Sequence, residues 1–423
     1  MNALQTDLDA FYENRICELR VLGRRMWAHE TSTINLIASD NAYPAECSEY
    51  PVYRGHIVQE GLPGRRPFAG AEFHDELENL AVAIACKVFG AQHANLQPHS
   101  CSQANQAVYH ALLSPGDMVM ALDFRTGGHL THGMKTNFSG RHFQFCFYGV
   151  DASGSIDYEH AKSLALLNRP KLIICGSSSY PRLFDAVALR AIADSVGAKL
   201  MFDLSHEAGL IAGGAIPNIV SYADVTTMSI DKTLRGPFGG IILCRKEFAE
   251  KIDKAVHPGT QSSFSVRKIA SIAQALALTQ TKEFQIYTEN VLGNAKILAK
   301  HFRSDLLFSG GTDKHYIVID THRGFGLAGA EAEAKLSKLN ILTSRQSLPT
   351  DTSSKMSAAG GLRIGTAWAS SRGYTANDFI QLSEILIRGL EIDENSTEFR
   401  GLSKKVLELA KRERTNDVWA SLL

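Results

Sequence analysis

Residues 199–244 read KLMFDLSHEAGLIAGGAIPNIVSYADVTTMSIDKTLRGPFGGIILC. Three short apolar runs, KLMFDLS, ADVTTMSI and GGIILC, are separated in it by turn residues and helix-like segments. Two more of the same kind, MVMALDF (118–124) and KLIICGSSS (171–179), come before it. Short apolar strands that alternate with helices point to a mainly parallel sheet covered on both faces, an α/β architecture. Ligands in such sheets gather at the carboxyl ends of the strands. Three polar clusters fall at those ends: Ser177 to Tyr180, Asp203 to His206 and Ser229 to Lys232.

From about Val291 the pattern changes to helix (NAKILAKHF), strand (HYIVID), helix (AEAEAKLSKL), short strands (ILTS, LRIGTA) and a last helical stretch, which reads as a smaller α+β domain. The expected division is a helical arm over 1–35, a large domain over 36–290 and a small domain over 291–423. The serine-rich segment from Thr350 to Ser357 reads as a loop. With 423 residues, the chain is long enough for one large cofactor domain and smaller pieces. The 44 basic residues balance the 44 acidic ones, so no net field draws the chain to nucleic acid or an anionic membrane. Seven scattered cysteines without a C-x-x-C spacing fit reduced thiols, so no zinc site, other metal or disulfide framework is expected. The amino-terminal residues lack an apolar run long enough for a signal peptide or a membrane span. A cytoplasmic protein is the expectation.

Asp203 follows a buried strand, where a carboxylate can pair with a protonated ring nitrogen; taken alone, D-x-x-H reads as a helix N-cap. Lys232 ends another apolar strand before a Gly-Pro turn. Burial there lowers an amine's pKa and frees it as a nucleophile, whereas a lone lysine is ordinarily solvated. In PHSCSQAN (98–105), hydroxyls and N–H groups at a helix start can seat a phosphate, whereas taken alone the serine reads as an ordinary N-cap. His129, in the pair of glycines and histidine 127–129, could stack on a cofactor ring or be structural.

Long stretches of the chain resemble serine hydroxymethyltransferase: LIASDN, EGLPGRRPFAG, ANLQPHSCSQANQAVY, GGHLTHG, NFSG, YGVD, DLSHEAGLIAGG, DKTLRGPFGGIIL, SGGTD and GLRIGT. They run in order from about Leu36 to Thr366. The resemblance implies the aspartate-aminotransferase-like fold type I of pyridoxal-phosphate enzymes, with a mixed, mostly parallel seven-stranded sheet in the large domain. It implies a covalent link between pyridoxal phosphate and Lys232, a ring nitrogen paired with Asp203 and a ring face covered by His129. Ser178 and His206 would lie on the ring-hydroxyl side, and Ser100, Cys101 and Ser102 at the phosphate. Ser229, Asp231, Ser262 and Ser263 complete the expected cofactor set. Ser39, His206 and Arg363 would bind the substrate amino acid, an arginine fork suiting its carboxylate. Glu60 would serve as the acid/base at the β-hydroxyl or at the one-carbon unit. The implied assembly is a homodimer with shared active sites, able to pair further into a tetramer, with Val58, Glu60 and the Gln261 to Ser263 turn reaching the partner's pocket.

The chain departs from the family pattern around the substrate. Val58 and Pro67 replace tyrosines, Asp231 a histidine, Phe238 an arginine, and Ser262 and Ser263 a glycine pair, while Gln346 stands where the pterin asparagine belongs. Three readings follow. The chain makes or breaks the Cα–Cβ bond of a β-hydroxy amino acid with tetrahydrofolate; or it is a folate-independent paralogue, an aldolase, transaldolase, racemase, aminotransferase or lyase; or it is a catalytically silent binding protein. The last conflicts with retention of Lys232, Asp203 and Arg363.

Overall fold

Alternation of side chains along each strand explains the central sheet of the computed structural model, which describes residues 2–44, 47, 58–352 and 356–412. In chain order the strands are β1 (Ile34–Asn35), β2 (His93–Asn95), β3 (Met118–Leu122), β4 (Gln144–Tyr148), β5 (Leu172–Gly176), β6 (Lys199–Asp203), β7 (Val225–Ser229), β8 (Gly240–Cys244), β9 (Tyr316–Asp320), β10 (Ile341–Leu342), β11 (Ser344–Gln346) and β12 (Gly361–Gly365). Seven of them form one sheet in the order β2-β8-β7-β6-β5-β3-β4. Neighbours from β7 to β4 are parallel, and β8 runs antiparallel to both β7 and β2. This is the mixed, mostly parallel seven-stranded sheet expected of fold type I.

The five apolar runs became β3 and β5 to β8. Met120, Ile173, Cys175, Leu200 and Phe202 enter a core on one face. The residues between them, Val119, Leu172, Ile174 and Met201, pack on the other face with Ala104, Ala107 and Val108 of the helix Cys101–Leu112. Because both faces are covered, the runs read as continuously apolar. The two strands that the apolar pattern does not reveal are β2, only three residues long, and β4, a partly exposed edge strand.

The second sheet, β11-β12-β9, is antiparallel. Ile317, Ile319, Leu362 and Ile364 of this sheet meet Leu336, Phe379, Leu382 and Leu386 of the helices Gly329–Lys338 and Ala376–Glu391 in a separate core. That core also takes Ile34 and Leu36, since β1 pairs in parallel with β10. The boundary expected at 290/291 falls inside the continuous helix Lys282–His301. Phe284, Tyr287 and Val291 of this helix pack on Leu210, and Leu298 packs in the second core. The amino-terminal helix is Asn2–Ser32, and its Ile16, Leu19, Leu22 and Met26 form an exposed apolar stripe at helical spacing. Part of the segment expected as a loop, 350–357, lies outside the described residues; Met356–Ala358 form one short turn of 3₁₀ helix. No helix among the described residues is long and apolar enough to cross a membrane.

The two sheets meet along a polar seam. Lys314, just before β9, forms a fully buried ion pair with Glu207, just after β6, and its amine also donates to Ser177 Oγ at 3.1 Å. The next two residues continue the seam: His315 stacks on His206 with ring centroids 5.3 Å apart, and Tyr316 donates its hydroxyl to the Tyr180 carbonyl at 2.8 Å. Removing one partner of a buried pair leaves the other charge without compensation. Lys314→Met is therefore expected to destabilise the chain by about 3–5 kcal/mol, and Lys314→Met with Glu207→Leu to recover most of that loss. Urea denaturation of the two variants tests this, and a single variant as stable as the starting protein rules the expectation out.

Candidate active site

The carboxyl ends of β5, β6 and β7 open into one cavity with the start of the helix Cys101–Leu112. Ser100, Cys101 and Ser102 line one end of it, and His129 and His132 one wall. Asp203, Ser205 and His206 come from the β6 end, Ser177 and Ser178 from the β5 end, and Ser229, Asp231 and Lys232 from the β7 end. Phe238 closes the rim with its ring mostly exposed.

Asp203 is buried. Its Oδ1 accepts from Ser205 Oγ at 2.6 Å and its Oδ2 from Asn105 Nδ2 at 2.9 Å. His132 Nε2 lies 3.1 Å from Oδ2 and donates to it, since an ionised carboxylate offers only lone pairs. Burial by itself raises the carboxyl pKa; the hydrogen bond and electrostatic attraction of His132, then His129 and the hydrogen bond from Ser205, outweigh it and hold Asp203 well below the usual carboxylate range. The second layer is also filled, with Thr227 Oγ1 donating to Asn105 Oδ1 at 2.6 Å. Asp203 also accepts the Ser205 N–H at 3.2 Å in a local turn, but it is not the helix N-cap that D-x-x-H suggests on its own, since the next helix, Ala208–Ala212, is capped at Glu207.

Above it sits His129, its Nδ1 2.7 Å from Thr131 Oγ1 and its ring edge-on to His132, with centroids 5.5 Å apart. Burial, then the neighbouring His132, push its pKa down to about 3, which keeps the imidazole neutral. Burial also lowers His206 and His315, the latter to about 3. His129, His132 and Asp203 bring ligand atoms within 4.8 Å of one another. His132 Nε2 and the carboxylate are already committed to each other, which accounts for the cluster without a metal.

At the other end of the cavity, Ser100 Oγ caps the helix by accepting from Gln103 N at 3.2 Å, leaving its own proton free to donate. The backbone is close here: a Cβ on Gly240 would stand 2.6 Å from Ser100 O and 2.9 Å from Cys101 N. Unpaired N–H groups at the start of a 12-residue helix with flanking hydroxyls form an anion cup. A cup, a lysine and a buried ionised carboxylate in one cavity are the donor set that a phosphorylated, ring-nitrogen aldehyde requires.

Arg363 projects from β12, donates to the Ser178 carbonyl and lies 3.3 Å from Ser344 Oγ. Ser39 lines an adjoining cavity that shares Asp231 with the first; Asp231 in turn accepts from Ser229 Oγ. Glu60, Ser262 and Ser263 are not brought to the cavity within one chain. Glu60 and Ser263 are bridged to each other, Glu60 Oε1 is 3.5 Å from His257 Nε2, and both serines are exposed. The residues that sequence reasoning does not single out are His132, Asn105, Ser205 and Thr227. The signals that could have pointed to the first three are the second histidine of GGHLTHG, the asparagine that ends PHSCSQAN and the serine inside the Asp203 to His206 cluster.

A family model described as serine hydroxymethyltransferase matches residues 20–386. Similar proteins of that name include one from Mesoplasma florum, 43% identical over 356 residues that span 84% of this chain and 86% of the relative. Another, from Mycoplasma capricolum, is 40% identical over 390 residues, 90% of this chain and 93% of its own. A third, from Prochlorococcus marinus, is 40% identical over 417 residues, 97% and 98% of the two chains.

The neutral buried imidazoles have a consequence for acid stability. His129 and His315 bind a proton in the folded chain only near pH 3, against 6.5 for the free group, so the unfolded chain binds more protons between those values. Stability from each is fully present above pH 6.5 and is lost as pH falls toward 3. Between about pH 7.5 and about pH 5 the loss per group is about 2 kcal/mol. Urea denaturation of His315→Gln across this range is expected to give a shallower loss than the unsubstituted chain; equal slopes contradict it.

Proposed function

The chain belongs to the serine hydroxymethyltransferase family of pyridoxal-phosphate-dependent transferases, and on that premise we propose that Lys232 is the residue that binds the cofactor covalently. The observation that carries this reading is the joint presence of Lys232, the anion cup and the ionised, buried Asp203 in one cavity. When bound, the cofactor supplies an electron sink for the pair released as a bond to Cα breaks.

Asp203 keeps a proton on the ring nitrogen, because its own oxygens stay ionised under hydrogen bonds from His132, Asn105 and Ser205. His129 offers a neutral face to the ring. Ser100 and Ser102 donate to the phosphate together with the free N–H groups of their helix. Arg363 pairs with the substrate carboxylate, exchanging its bond to the Ser178 carbonyl for a charged one. Ser39 and His206 flank that position. Glu60 moves the proton of the β-hydroxyl, acting in the partner's cavity.

A homodimer is the assembly we propose. Its support is the exposed apolar stripe on the helix Asn2–Ser32 and the position of Glu60, Ser262 and Ser263 away from their own cavity. The relatives' shared name favours hydroxymethyl transfer over the folate-independent and silent readings. Serine is the donor and tetrahydrofolate the acceptor in this proposal, and cysteines that form no disulfide among the described residues suit a reducing cytoplasm.

Borohydride reduction of the cofactor-loaded protein is expected to label the peptide that contains residue 232 and to leave Lys232→Ala unlabelled. A label elsewhere removes the assignment. Glu60→Gln should slow serine cleavage by roughly 10²–10⁴-fold with cofactor binding intact. Formaldehyde released from serine at the same rate with and without tetrahydrofolate would favour the folate-independent reading.

A further inference from the structure

Lys268 is the unusual cation of this site. It sits in the first turn of the helix Val266–Leu278 and is half-buried. Among the described residues no carboxylate is placed to offset its charge, and burial pushes its pKa down to about 8. Its amine donates instead to two backbone carbonyls, Pro98 O at 2.8 Å and Gln97 O at 3.4 Å. Hydrogen bonds from an ammonium to a carbonyl are stronger than neutral ones.

Those carbonyls begin the loop that ends in the anion cup. Pro98 O also accepts from Gly240 N at 3.2 Å, and Gln97 O from Gln261 Nε2 at 3.2 Å. Gln103 closes the same loop from its far end. Its Nε2 donates to Gln261 Oε1 at 2.7 Å, and its Oε1 accepts from His99 N at 2.7 Å. The lysine stem lies against the β8 entry, where a Cβ on Gly239 would be 3.4 Å from Lys268 Cδ. One residue on, the Gly240 backbone abuts Ser100 and Cys101. Lys268 is therefore wedged between the Gln97–Pro98 loop and the β8 entry, the two backbone segments that meet at Ser100 and Cys101.

We propose that Lys268 is a positioning residue for the cofactor phosphate: by holding the carbonyls of Gln97 and Pro98 it sets Ser100, Cys101 and Ser102 in the arrangement that grips the anion. This rests on the reading that the cup takes the cofactor phosphate. The test is equilibrium binding of pyridoxal phosphate, and of pyridoxal, which lacks the phosphate, to the full-length apoprotein, followed by absorbance. Lys268→Met is expected to weaken pyridoxal phosphate about tenfold while leaving pyridoxal unchanged, and Lys268→Arg to restore most of the loss. Unaltered affinity for pyridoxal phosphate, or an equal loss for both ligands, overturns the proposal, the second because it marks general loosening. Should Lys268→Met fail to fold, Lys268→Gln is read by the same comparison. Ser102→Ala separates the two levels. If it selectively weakens pyridoxal phosphate while Lys268→Met does not, the cup stands and the role of Lys268 falls; if it binds both ligands like the unsubstituted protein, the cup reading falls and takes the proposal with it.

Discussion

Asp203 holds an ionised carboxylate inside a protein core, and the local structure is arranged around that requirement. An isolated buried carboxylate would take up a proton. Here Ser205, Asn105 and His132 supply donors from three separate parts of the chain, and Thr227 fixes Asn105 from behind. Satisfying this one group draws the β6 end, the helix Cys101–Leu112 and the turn after His129 together. The cavity is the space left between them.

The seam between the two sheets serves the same site from the other side. Lys314, His315 and Tyr316 are consecutive, and each binds a residue near the ends of β5 or β6. The β9 strand that follows pairs with β12, whose Arg363 reaches Ser178. The position of Arg363 relative to Asp203 is thus transmitted through a buried ion pair and a stacked histidine pair, of which only His206 lies beside the substrate in the proposed reading. Packing of this kind limits relative sliding of the two parts and keeps Arg363 beside Ser178.

Several departures from the family pattern gather at the rim. Phe238 presents an exposed ring there, and Asp231 is shared between the cavity and its neighbour. Both can alter what approaches the cavity without disturbing Asp203, His132 or the cup. Family membership and a changed rim are therefore compatible, since the groups that define the cofactor site and those that meet incoming molecules are held by different hydrogen bonds.

The amino-acid sequence by itself determined the α/β class, five of the seven strands and the strand-end clusters that became the cavity walls. These features depend on local information: buried parallel strands are continuously apolar, and polar residues at their ends stay adjacent in sequence. The resemblance supplied roles for Lys232, Asp203 and Arg363. His132 and Asn105 were not legible as partners of Asp203, for they lie 71 and 98 residues away from it in the chain, and the motifs that contain them, GGHLTHG and PHSCSQAN, do not say which residue they meet. The same holds for Lys268, an ordinary lysine by composition whose amine meets the Pro98 carbonyl 170 residues away. Only tertiary structure decided these, because a hydrogen bond between distant segments depends on how the chain is packed and leaves no periodicity in either segment.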